Sequence, residues 1–130
     1  MLGDGNGWVR TPDGTKRWGL FGAAGLFLVA DGRVLMQHRA FWTAQGGTWG
    51  IPGGARDSHE TAAVAALRET VEECAVDTSQ VTVRGELVTS ELPGWSYTTV
   101  LATAARCLEV TANEESEELR WVPLGELGQL

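Results

Sequence analysis

The sequence predicts a single α/β (α+β) domain in which one long helix covers one face of a mixed β-sheet. A chain of 130 residues is large enough for one hydrophobic core. Apolar runs of strand length, separated by turn-forming residues, lie before and after residues 61–73. Residues 61–73 contain four alanines and neither Gly nor Pro, which favours a helix.

The N-terminal part of the chain, residues 1–19, is expected to form an arm or a short hairpin. Thr11-Pro12-Asp13-Gly14 has the composition of a turn between two short segments. The main domain is expected to span residues 20–130.

The strands of the main domain are indicated by apolar and β-branched runs between turns. Asp31-Gly32 predicts a hairpin turn, and Pro93-Gly94 predicts another. The expected strands are 23–30, 34–39, 81–92, 95–107 and 119–122. An acidic loop is expected at 113–118, and residues 124–130 are expected to begin a second helix that is short or truncated.

The predicted helix has a core side and an acidic side. Asp57 and Glu60 have the spacing of a capping box, which places the start of the helix at Asp57. Helical periodicity puts Glu69, Glu72 and Glu73 together on the side away from the core. Carboxylates this close repel one another, so they require either open water or a hard cation with oxygen ligands.

The segment 54–76 also resembles the Nudix box, the motif of the Nudix hydrolases. The matching positions, all at the family's spacing, are Gly54, Glu60, Arg68-Glu69, Glu72-Glu73 and Val76. Two positions depart from the motif: Thr70 replaces an aliphatic residue, and Ala75 replaces a glycine just past the helix end. A left-handed backbone at Ala75 would cost on the order of 1 kcal/mol.

The resemblance implies the Nudix fold, an α/β/α sandwich with a mixed sheet, and a Mg²⁺ cofactor, with Mn²⁺ as an alternative. It implies that Glu69, Glu72 and Glu73 are catalytic and bind metal. Further ligands would be the Gly54 carbonyl and Glu115, with Glu114 and Glu118 as alternatives to Glu115. For any one of these three loop acids, a solvated side chain is the simpler interpretation. Glu60 and Arg68 would hold the motif together.

Substrate contacts are expected outside the motif. Arg39 ends a strand near the expected phosphate position, and the alternative is a solvated surface arginine. Phe41 and Trp42 form either a wall of the substrate pocket or a cap on the core. Trp95 and Tyr97 begin a strand from which they could reach the base or sugar of a nucleotide.

Composition limits the possible partners. A net charge of −7 and a pI near 4.7 argue against a nucleic-acid polymer as ligand, but allow a small nucleotide beside a bound cation. Two cysteines do not make a disulfide framework, and no apolar run is long enough to span a membrane. We expect a cytoplasmic monomer or homodimer.

The expected activity is Mg²⁺-dependent hydrolysis of nucleoside diphosphate-linked compounds. A MutT-type nucleoside triphosphate pyrophosphohydrolase is favoured. ADP-ribose or nucleotide-sugar hydrolysis is the alternative, because Pro93 lies where ADP-ribose hydrolases tend to carry a proline. A non-catalytic nucleotide-binding Nudix module is the alternative of another class, although such modules usually lose the acids retained here.

Overall fold

The computed structural model describes residues 3–43 and 45–130. Two sheets and one α-helix form in this part of the chain. The strands are β1 (Trp8–Arg10), β2 (Lys16–Trp18), β3 (Ala23–Ala30), β4 (Arg33–Arg39), β5 (Trp49–Gly50), β6 (Gly53–Ala55), β7 (Val81–Leu92), β8 (Trp95–Ala104) and β9 (Ser116–Pro123). The α-helix is α1 (Ala62–Cys74), and short 3₁₀ helices cover Thr78–Gln80 and Leu124–Gln129.

The main sheet is mixed, as the sequence predicts. Its strand order is β5-β4-β3-β8-β7, with β6 paired to β3 and β9 paired to β4. The central pair, β3 and β8, is parallel, whereas the other pairs are antiparallel. Strands β1 and β2 form a separate hairpin at the N-terminus.

The core lies mainly between the sheet and α1. Alternation along the strands directs Leu26, Leu28 and Leu35 to this face, where they are fully buried against α1. Val34 and Met36 point to the other face of the sheet, where a smaller cluster contacts Leu127 of the terminal 3₁₀ helix. One thick apolar layer under α1 therefore supports the helix that carries the acidic residues.

The second helical layer is reduced. Residues 124–129 form a 3₁₀ helix of six residues rather than a second α-helix. Leu124 and Leu130 remain exposed there. No helix within the described residues is long and apolar enough to cross a membrane.

The helix end differs from a standard glycine-capped end. Ala75 has φ 57° and ψ 36°, the left-handed conformation, and its N–H donates to the Val71 carbonyl. A β-carbon makes this conformation unfavourable, so Ala75 carries the strain expected where the motif has Gly. The other departure is accommodated, because the fully buried Thr70 donates its hydroxyl to the Ala66 carbonyl over 2.7 Å.

Candidate active site

The helix begins later than the sequence indicates. Thr61 is the N-cap, and its side chain accepts from the Val64 N–H. The predicted start at Asp57 is therefore wrong. Asp57 and Glu60 do form the expected pair: the Asp57 N–H donates to Glu60 Oε1 over 2.9 Å. This hydrogen bond lies in a turn before the helix. The hydroxyl of Thr61, which directly precedes the first helical residue, caps the helix instead.

Arg68 joins this turn to the helix. Its guanidinium donates to both Glu60 oxygens, over 2.7 and 2.8 Å, and to the Ala55 carbonyl over 3.0 Å. A further bond reaches Glu69 Oε1 over 3.0 Å. The Arg68 hydrogen bonds hold the pKa of Glu60 below its ordinary value despite burial. This planar, two-pronged contact is the geometry in which arginine binds carboxylates best.

The three helix glutamates differ in their environment. The Glu72 side chain is 55% exposed and the Glu69 side chain 13% exposed, whereas Glu73 as a residue is 2% exposed. The prediction that all three face away from the core is therefore wrong for Glu73. Val71, which helical periodicity places opposite Glu69 and Glu73, is 44% exposed. Relative to the predicted orientation, α1 is therefore rotated about its own axis, and this rotation directs Glu73 toward β6.

Glu73 is incompletely satisfied. Its Oε1 accepts a long 3.4 Å hydrogen bond from the Gly53 N–H, and its buried Oε2 has no hydrogen-bond partner. Burial, and then repulsion by Glu69 and Glu115, raise the pKa of Glu73 to about 9. A buried carboxylate without a partner is costly in an ordinary core, so this arrangement indicates a site for a positive charge.

The neighbouring acids show the same electrostatic crowding. Burial is the main cause that raises the pKa of Glu69, with Arg68 opposing it and Glu72 adding to it. Burial also raises the pKa of Glu115, and repulsion by Glu72 contributes. Glu115 therefore lies within the electrostatic field of Glu72.

Asn113 positions the loop that carries Glu115, a role that no motif or spacing in the sequence indicates. Its side-chain amide donates to the Glu72 carbonyl over 3.1 Å, and its N–H to the Glu73 carbonyl over 3.3 Å. Asn113 Oδ1 in turn accepts from the Glu115 N–H over 3.0 Å. These bonds use carbonyls at the end of α1 that lack partners within the helix.

The donor set fits a hard divalent cation. The candidates are all oxygen atoms, and Glu73 Oε2 is buried without a partner. Gly54 lies against Glu69 so closely that a β-carbon there would be 2.6 Å from the carboxyl carbon. The glutamates of α1 are not among the described groups whose ligand atoms lie within 4.8 Å of one another. A cation shared by them therefore requires a side-chain rotation.

A second acidic group, Asp57, His59 and Glu60, does converge within 4.8 Å. Arg68 already contacts two of its members, with Nη2 lying 3.7 Å from Asp57 Oδ2 and hydrogen-bonded to Glu60. The positive charge that these carboxylates need is thus supplied by the protein.

The predicted substrate residues fall into two environments. Phe41 is 83% exposed and Trp42 59% exposed in the loop after β4, so they do not cap the core. Arg39 donates to Thr48 Oγ1 over 3.2 Å and to the Ile51 carbonyl over 3.3 Å, so it is not a freely solvated arginine.

Trp95 and Tyr97 lie on one face of β8, and both are half-buried. The Trp95 indole donates to the Trp18 carbonyl over 3.1 Å, and its ring lines a shallow cleft with Phe21 and Pro93. Desolvation of its half-buried side chain raises the pKa of Tyr97 to about 12, and its hydroxyl sits over Gly25. Arg39 and Glu73 both act on the Tyr97 hydroxyl electrostatically, Arg39 lowering its pKa and Glu73 raising it.

The fold and the motif together define the class of protein. The family model described as the NUDIX domain matches residues 20–130. The chain belongs to the Nudix family, and the family and fold predicted from the sequence are confirmed.

Named relatives give closer comparisons. A Mycobacterium tuberculosis protein named "Putative 8-oxo-dGTP diphosphatase 3" is 51% identical over 140 residues, covering 100% of this chain. A "Nucleoside triphosphate pyrophosphatase/Nudix hydrolase fusion protein" of Bifidobacterium longum is 42% identical over 95% of this chain. The chain spans 64% and 27% of the lengths of these two relatives.

A solved structure supports the fold directly. The crystal structure of a Nudix hydrolase from M. smegmatis, RenU, superposes with a TM-score of 0.92 at 48% sequence identity. The match covers 97% of this chain and 84% of that one.

Proposed function

We propose that this chain is a Mg²⁺-dependent pyrophosphohydrolase of nucleoside triphosphates, with oxidised deoxynucleotides such as 8-oxo-dGTP among its substrates. The observation that carries the proposal is the buried Glu73 carboxyl group, whose Oε2 lacks a hydrogen-bond partner and whose charge Glu69 and Glu115 repel. The name of the M. tuberculosis relative supports the choice of substrate.

The proposed roles rest on the motif positions, and the burial and mutual repulsion of the acids support them. Glu69, Glu72, Glu73 and Glu115, with the Gly54 carbonyl, would hold the cation. When bound, Mg²⁺ would neutralise phosphate charge and lower the pKa of a coordinated water. Mn²⁺ could substitute because it also accepts oxygen ligands.

The remaining residues would position substrate and ligands. Arg68 fixes Glu69 and the preceding turn through Glu60. Phe41 and Trp42 present exposed aromatic surface on which a base can stack. Tyr97, on which Arg39 and Glu73 act electrostatically, would border the phosphate region, whereas Trp95 would contribute only at the outer cleft.

A turnover panel with Mg²⁺ tests the proposal. The panel contains dGTP, 8-oxo-dGTP, ADP-ribose and a nucleotide sugar, and products are separated by anion exchange. We expect triphosphates to yield monophosphate and pyrophosphate, and Glu72→Gln to abolish this turnover. Glu126→Gln, an exposed acid in the terminal 3₁₀ helix, is the matched control and should retain it.

Each other outcome has a definite meaning. Preferred cleavage of ADP-ribose would replace the substrate assignment. Pro93 does not itself favour ADP-ribose as the substrate, because its position is explained by the turn between β7 and β8. Binding without turnover of any compound would indicate a non-catalytic module, and full activity in Glu72→Gln would disprove the proposed site.

A further inference from the structure

The N-terminal arm lies on the turn that precedes α1. The Gly5 N–H donates to Asp57 Oδ1 over 2.8 Å, a buried hydrogen bond. In return, Asp4 Oδ1 accepts from the Ser58 N–H over 2.9 Å, and its other oxygen accepts from the Ser58 hydroxyl. These bonds hold the pKa of Asp4 below its ordinary value. Residues 56–58, named here the box loop, are thus clasped by residues 4 and 5.

The clasp depends on close backbone approach. A β-carbon on Gly5 would collide with the Arg56 carbonyl oxygen, which is backbone and cannot easily move. The arm is also tied to the main domain on its other side, where the Leu20 N–H donates to the Gly5 carbonyl over 2.8 Å. Gly5 is therefore packed between the box loop on one side and Leu20, shortly before β3, on the other.

Asp57 connects the arm to the acidic site. It is 6% exposed, its N–H binds Glu60, and its Oδ2 lies 3.7 Å from Arg68 Nη2. Arg68 in turn donates to Glu69, a proposed metal ligand. A continuous set of contacts thus runs from Gly5 through Asp57 and Arg68 to Glu69.

We propose that the arm helps to position the metal ligands. Asp57 is the positioning residue: held by the arm, it helps to hold Arg68, which in turn holds Glu69. The arm precedes residues 20–130, which the family model matches, so this support lies outside the matched domain. Partners that orient metal ligands typically change metal affinity or activity about 10–100-fold when removed. This inference rests on the proposed function.

The test compares two acids of the arm. Asp4 and Asp13 each accept from a backbone N–H and a hydroxyl, but Asp4 binds Ser58 of the box loop whereas Asp13 binds Thr15 within the hairpin. Apparent Mg²⁺ affinity is read from the rise in Tm with Mg²⁺ concentration in the presence of a non-hydrolysable nucleoside triphosphate. Steady-state kcat and KM are measured in parallel.

We expect Asp4→Ala to weaken apparent Mg²⁺ affinity and to lower kcat, with KM for nucleotide little changed. Asp57→Ala should weaken Mg²⁺ binding about tenfold. Asp57→Asn, which keeps an acceptor for Gly5, should recover part of that loss. Asp13→Ala should leave Mg²⁺ affinity and kcat at wild-type values, whatever its effect on Tm.

The outcomes separate this inference from the proposed function. If wild type responds to Mg²⁺ and hydrolyses nucleotide but Asp4→Ala and Asp57→Ala only lower Tm, the arm is merely structural and the inference is overturned. If Asp13→Ala weakens Mg²⁺ binding as much as Asp4→Ala, the clasp is also refuted. If wild type shows neither Mg²⁺ response nor turnover, the proposed function fails first, and this inference fails with it.

Discussion

Replacing Glu73 by Gln should stabilise the metal-free protein while destroying its response to Mg²⁺. The substitution preserves the shape of the side chain. It replaces a carboxyl group whose ionisation is opposed by burial and by repulsion from two neighbouring acids. The native pKa of about 9 exceeds the ordinary value of 4.5, so the folded protein holds a proton on Glu73 that the unfolded chain releases between these values. Stability therefore falls as pH rises from 4.5 toward 9.

The size of the effect at pH 7 follows from the same two pKa values. One pH unit corresponds to about 1.4 kcal/mol, and pH 7 lies about two and a half units above the ordinary value of 4.5. Glu73→Gln should thus gain up to about 3 kcal/mol at pH 7, equivalent to a rise in Tm of roughly 10 °C for a domain of this size. The gain should shrink to under about 1 kcal/mol at pH 5, only half a unit above the ordinary value, because the unfolded chain is still partly protonated there.

Thermal unfolding in EDTA at pH 5, 7 and 8 measures this trend, and a second series with Mg²⁺ measures the metal response. Glu72→Gln is the control: its side chain is 55% exposed and solvated, so it should show no comparable gain. If the stability difference between wild type and Glu73→Gln does not grow with pH, the account of a repelled, buried carboxylate is wrong.

Three further substitutions test the structure around the site. Ala75→Gly should raise stability by about 1 kcal/mol, because glycine adopts the left-handed backbone without strain. Ala63→Gly, inside the helix, should lower stability by a similar amount. Equal effects of the two substitutions would contradict the strain at Ala75. Gly25→Ala should lower stability in urea unfolding by about 1–3 kcal/mol, because the added β-carbon would collide with the Tyr97 hydroxyl. Adding Tyr97→Phe should restore part of that stability. If it restores none, the collision lies elsewhere. Arg68→Lys should cost about 1.5–3 kcal/mol, because an ammonium keeps the charge but loses the two-pronged bond to the buried Glu60 carboxylate. A loss under about 0.5 kcal/mol would contradict that role.

The acid positions were predictable because their spacing is a property of the sequence alone. Their environments were not, because burial depends on how α1 is rotated against the sheet. Helical periodicity placed Glu73 with Glu69 on the outer side, yet the exposed Val71 and the buried Glu73 show a rotation that favours contact with β6 over apolar burial. A functional site can override the amphipathic pattern in this way.

The ends of elements show a similar limit. Asp57 and Glu60 satisfied the rule for a helix start, and they do pair, but Thr61 supplies the cap. Spacing alone cannot choose between two acceptable caps four residues apart. Long-range contacts were beyond sequence reasoning altogether: Asn113 at the end of α1 and Gly5 on the box loop join segments far apart in the chain.

The most direct test of the central proposal is anomalous diffraction from crystals grown with Mn²⁺ and a non-hydrolysable nucleoside triphosphate. The account predicts at least one Mn²⁺ about 2.1 Å from carboxylate oxygens of Glu72 or Glu73 and in contact with phosphate oxygens. Anomalous density only at Asp57, His59 and Glu60, or none beside α1 while nucleotide is bound, would contradict it.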